Sequence, residues 1–337
     1  MRLAAVGAAL AFAGCSGPMH AQNPALLPAA SANVPLVDSY SVVYGFSKSA
    51  GDGSSPQAAL LPLSGRFYGT TKSGGTYGGG TLFYVASGAE RVVHSFGQGS
   101  DGRAPVAPPI AVKTLLYGTT SGGGTSANGT LFSVDSAGTE RVLYNFPGGA
   151  GGSQPLGALL ALNDTLYGTT SAGGTANAGT VFSFSRSGTR RWTYRFGTAV
   201  DGANPLGALV YLNGSLYGTT SRGGKYGGGT VFAITPAGSE RVLYSFGSGL
   251  DARTPDAGLV ALNNVLYGTT AFGGKYGAGT VYAVTTTGSE RVVYGFGNVG
   301  DGKDPEASLV AVGSVLYGTT YAGGANGFGT IFSVAPN

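Results

Sequence analysis

Apolar and polar positions alternate in short runs along this chain, and the runs come back at a fixed interval. In Glu240 to Phe246 the pattern puts Val242, Tyr244 and Phe246 on one face and Arg241, Leu243 and Ser245 on the other. No window carries a 3.6-residue apolar period, so the pattern predicts strands and almost no helix. One unit reads from 201 to 250 as four strands: Ala208 to Leu212, Ser215 to Ser221, Thr230 to Thr235 and Glu240 to Phe246. Asn213-Gly214 predicts a two-residue hairpin turn between the first two, since both residues tolerate positive φ. Gly223-Gly224 opens the loop to the third strand, and Ala237-Gly238 turns into the fourth.

The unit repeats six times. Its marker is Leu-Tyr-Gly-Thr-Thr or a close variant, with tyrosines at 68, 117, 167, 217, 267 and 317, spaced 49 residues once and 50 four times. Four antiparallel strands per unit of this length predict an all-β, six-bladed β-propeller. Small residues such as Gly207-Ala208 and Ala257-Gly258 suit the crowded strand beside the axis. The last unit stops after its third strand, Thr330 to Val334, and Ser41 to Phe46 matches the fourth strand at 291–296. We therefore expect segment 41–46 to complete the last blade and close the ring of residues 38–337. Glu-Arg pairs at 90, 140, 240 and 290 open the fourth strands, where charge would discourage strand addition by another chain.

Composition adds the cellular address. The 63 glycines fit many tight turns, while 19 Tyr and 16 Phe recur in register and supply a core. Residues 1–14 read as a signal peptide, with Arg2 before an apolar run too short to span a bilayer. The run ends in Phe-Ala-Gly-Cys, which resembles a bacterial lipobox. That resemblance implies that Cys15, the only cysteine, becomes a lipidated first residue and that the membrane is met through this anchor alone. The alternative is an ordinary secretory signal cut after Ala21. Residues 15–37, rich in Ala and Pro, read as a tether. The expected location is the bacterial cell envelope, or the medium if the signal is simply cut.

The motif Phe-Gly-x-Gly-x-Asp-Gly-x-x-Pro, Leu-Tyr-Gly-Thr-Thr, Gly-Gly, Gly-Thr-Val-Phe resembles the GloVer-type tandem repeat of exported bacterial proteins, named choice-of-anchor, over residues 42–334. The double glycine and blade length are also similar to kelch repeats. The resemblance implies a propeller at the cell surface and no particular chemistry.

Function classes narrow by what is missing. A net charge of +4 without a basic run gives no support to nucleic-acid binding. No Gly-Lys-Ser/Thr follows the glycine loops, so no cofactor is expected. His20 and His94 stand far apart, which argues against a His-based metal site. Asp52, Asp101, Asp201, Asp251 and Asp301 each precede a Pro by four residues and read as turn caps in preference to calcium ligands. No Ser-His-Asp set can be assembled, so an enzyme is the weaker reading; Asp256, Asp304 and Glu306 are its only nominees.

Residues that vary between blades are better ligand candidates. On the Gly-Gly loops these are Lys72, Tyr77, Arg222, Lys225, Tyr226, Phe272, Lys275, Tyr276 and Tyr321, with Asn128, Asn177, Asn326 and Phe328 beside them. Aromatic and basic side chains suit stacking on sugars or an anionic protein. The expectation is a monomeric, non-catalytic binding module for a glycan or protein, with a glycan-active enzyme in the central funnel or a structural envelope component as alternatives.

Overall fold

The computed structural model describes residues 42–47, 49, 51–197, 200–249 and 251–336. The signal, Cys15 and the tether lie outside these residues. These residues form six blades in sequence order, and among them the elements are all β apart from one 3-10 turn at Gly149–Gly151. Blade four shows the plan: Val210–Leu212 innermost, then Ser215–Thr220, Thr230–Ile234 and Glu240–Ser245, each antiparallel to the last. Asn213 and Gly214 adopt φ of 48° and 85°, which makes their hairpin turn the one the sequence predicts.

The marker motif builds the contacts between blades as well as within them. Tyr217 is buried in the core that blade four shares with blade five. Thr219 Oγ1 donates to the Ala257 carbonyl on the next blade at 2.8 Å. Thr220 and Thr230 pair their hydroxyls at 2.8 Å across the second and third strands. Gly218 leaves room for the ring of Phe232, whose Cζ would sit 2.6 Å from an added Cβ.

Aromatic rings stitch blade to blade. Phe96, Phe146, Phe196 and Phe296 at the ends of fourth strands meet Phe132, Phe182, Phe232 and Phe332 of the following blades, with centroids 4.9, 5.2, 5.1 and 4.9 Å apart. Phe246 meets Tyr282 at 4.9 Å in the same place.

Two expectations change. A β-bulge in each complete fourth strand, Val231/Phe232 against Tyr244/Val242 in blade four, leaves Leu243 as an extra residue. Leu243 and Tyr244 therefore both pack toward blade five, while Val242 turns toward blade three beside Tyr194. Strict alternation fails because one inserted residue reverses the faces on either side of it.

The ring closure also differs. The sixth blade has three strands among the described residues, Val310–Val312, Val315–Thr320 and Thr330–Val334, and residues 42–47 form no strand. Phe46 does reach the socket that its repeat equivalents use, with its ring 5.2 Å from Phe83 of blade one. That docking holds the segment by side chains without aligning its backbone on Thr330–Val334. Ile331 is 83% exposed as a result, and Tyr317 is 42% exposed where Tyr267 is 5%.

We expect Gly218→Ala to cost about 1–3 kcal/mol in urea unfolding, because the Phe232 ring must move. Gly295→Ala, which meets nothing within 4 Å, should stay within about 0.5 kcal/mol of wild type. Equal losses would show that the ring-over-glycine contact does not matter.

Candidate ligand face and the carboxylate clamps

The Asp loops and the Gly-Gly loops lie on one face, hydrogen-bonded as two-stranded ribbons. Gly202–Ala203 pairs with Arg222–Gly223, Ala252–Arg253 with Phe272–Gly273, and Gly302–Lys303 with Ala322–Gly323. This fixes the loop bases, so their side chains project from a rigid frame.

The candidate residues fall into two groups. Tyr77, Tyr226 and Tyr276 stand at equivalent rim positions and are 45%, 47% and 47% exposed. Lys225 Nζ lies 5.0 Å from the Tyr226 ring centroid, and Lys275 repeats this over Tyr276 at 5.0 Å. The Lys225 amide donates to Ser245 Oγ, which ties this loop to the outer strand. Below it an open groove of about 340 Å³ is lined by Lys225, Tyr194, Asp201, Glu240, Val242 and Ser245.

Arg222 and Phe272 sit instead in the ribbons leading to the inner strands, and Tyr321 adjoins the third ribbon one residue before the equivalent position, which Ala322 occupies. Lys72 is exposed near the inner end of blade one. Among these, the Arg222 charge acts on Asp256, which burial and then Glu306 push up to about 6. Asn177 is structural, since its Oδ1 accepts from the Gly173 amide. Phe328 is exposed.

The Asp residues do more than cap turns. Asp201 accepts from the Gly197 and Gly202 amides, and its Oδ2 lies 3.0 Å from the Tyr194 hydroxyl. The same hydroxyl lies 3.0 Å from Glu240 Oε2 of the next blade. Tyr244 and Asp251 repeat the arrangement with Glu290, and Tyr294 and Asp301 repeat the Tyr–Asp contact of it. The Glu residues therefore turn inward and do not guard an edge: Glu90, Glu140, Glu240 and Glu290 each bury an Oε1 without a hydrogen bond among the described residues.

A phenol has one proton, so a Tyr that contacts two carboxylates is best satisfied when one of them is protonated. Burial, and then the adjacent Asp charge, push Glu240 and Glu290 up to about 7. The repeat itself held the clue. Where Gly151 replaces the Asp, Arg190 replaces the Glu, and its Nη1 faces the Tyr144 hydroxyl at 3.5 Å.

The profile of the Gloeobacter/Verrucomicrobia repeat matches residues 33–148, 85–270 and 248–337. The chain belongs to the Gloeobacter/Verrucomicrobia repeat family. No curated protein matches this repeat chain. Among solved structures it is similar to a putative 6-phosphogluconolactonase from Bacteroides uniformis, at 15% identity and a TM-score of 0.52 over 80% of this chain and 79% of that one. An oligogalacturonate lyase from Vibrio parahaemolyticus gives 12% identity and 0.52 over 80% and 74%. At these identities the likeness shows a shared fold.

The raised Glu carboxyls set a pH dependence. A carboxyl whose folded pKa lies above its unfolded value keeps its full contribution below about pH 4.5 and loses it as pH rises through about 7. Stability in urea should therefore fall from pH 5 to pH 8. Glu240→Gln should flatten that slope and be the more stable protein at pH 8. A steeper fall in the variant would contradict the clamp.

Proposed function

We propose that this protein is an exported, non-catalytic binding module that takes a glycan or an anionic protein ligand on its loop face. The observation that supports it is the equivalent exposed Tyr on blades one, four and five, accompanied by a stacked Lys on two adjacent blades. Sugar rings stack on such aromatics, and the ammonium beside each ring adds attraction for acidic groups. Two like sites 50 residues apart would also bind a repeating polymer more tightly than either site alone. The reading includes export through the signal at 1–14 and tethering at Cys15, which presents the disc to the envelope or the surroundings as a monomer.

A glycan-active enzyme has one observation in its favour, the Asp256–Glu306 pair beside Arg222. Burial, and then the neighbouring Glu306, push Asp256 up to about 6, which lets one carboxyl of the pair hold a proton more readily than a free Asp, as a general acid must.

Glycan-array binding should fall about tenfold or more in a Lys225→Ala/Tyr226→Ala variant, from lost stacking. Turnover of a polysaccharide that disappears in Glu306→Gln, with no change in the rim variant, would overturn the binding reading. A Cys15→Ala protein should leave the membrane fraction; its retention there would refute the lipid anchor.

A further inference from the structure

One blade interface departs from the tyrosine clamp in a way that changes its chemistry. His94 stands where Tyr44, Tyr144, Tyr194, Tyr244 and Tyr294 stand in the other units, while Asp101 and Glu140 keep the clamp positions. The fold brings one ligand atom from each of His94, Asp101 and Glu140 within 4.8 Å of the others. His94 Nε2 lies 3.0 Å from Asp101 Oδ2. Asp101 is held in place by the Gly97 and Gly102 amides at 3.1 and 2.6 Å. Glu140 Oε1 is buried and takes no hydrogen bond among the described residues. A phenol can reach both carboxylates with its one oxygen, as Tyr194 does. An imidazole offers one nitrogen to this space, and that nitrogen meets Asp101 alone.

We propose that His94, Asp101 and Glu140 bind a divalent transition-metal ion, with Zn²⁺ the best match. One imidazole nitrogen and two carboxylate oxygens are a zinc donor set, and water would fill the fourth position. Zn–N and Zn–O bonds of about 2.0–2.1 Å put neighbouring tetrahedral ligand atoms about 3.3–3.4 Å apart, so shifts of about an ångström or less assemble the site. The proton of the imidazole would then reside on Nδ1, leaving the Nε2 lone pair for the metal. Two negative carboxylates and a dication sum to zero, which removes the repulsion that the clamp otherwise relieves with a proton. The His94 side chain is 21% exposed, so the cluster is not sealed from solvent. Counting histidines in the sequence argues against such a site; the propeller instead brings two carboxylates of blade two to one histidine of blade one.

The test uses the full chain stripped by chelator and titrated with ZnCl₂ in a calorimeter, with Tm followed in parallel. Saturable one-to-one binding and an upward Tm shift are expected, and both should vanish in His94→Tyr, which installs the residue the other clamps use and so keeps the fold. Glu140→Gln, which preserves shape, should weaken binding at least tenfold. His20→Ala should bind as wild type does. Absence of saturable binding, or equal binding by wild type and His94→Tyr, would overturn the site.

Discussion

No blade in this protein owns a complete core. The ring at the end of each complete blade's fourth strand lies on an aromatic ring of the next blade, and the first Thr of the marker motif reaches across the same boundary in several blades. Four twisted strands bury one face well only when another sheet covers it, so a unit alone would leave its aromatics in water. The 50-residue interval follows from this need, because each sheet must present the same socket to one neighbour and the same plug to the other. Blades one and six show the cost of an uncovered face: Leu60, Phe67, Tyr317 and Ile331 are exposed where their counterparts elsewhere are buried or nearly so.

The carboxylate clamps lie outside the aromatic layer and carry a different constraint. Asp and Glu of one blade converge on the Tyr hydroxyl of the blade before it, and burial disfavours two charges there. Each clamp can relieve that repulsion by keeping a proton, by exchanging both acids for Gly151 and Arg190, or, at His94, by taking up a cation. One geometry thus supports three kinds of chemistry at equivalent places in a single chain. The ribbons that hold the Asp loops also fix the bases of the Gly-Gly loops, so the same hydrogen bonds set the exposed Tyr and Lys in position.

Much of this was legible from residues. The Tyr-Gly-Thr-Thr marker, the Asn213-Gly214 turn and the small residues at 207–208 specify strand order, hairpin and inner edge by local rules. The bulge at Leu243 was not legible, because alternation counts residues and cannot see which one is left unpaired. The inward turn of Glu240 was hidden by its place at a strand end, where a charge ordinarily faces water. Segment 41–46 matched its counterpart in sequence, yet Phe46 docks by its ring alone, and the pairing of its backbone is a separate condition. The ligand candidates were found as a set, but their division between the rim and the inner ribbons needed the third dimension.

The claim that the blades share their cores is tested most directly by hydrogen exchange in increasing urea. The amides of Thr119, Thr169, Thr219 and Thr269, on the second strands of blades two to five, should exchange with one common free energy and one common denaturant slope. If a single blade opened first, with a small slope of its own, the units would be independent and the account would be wrong.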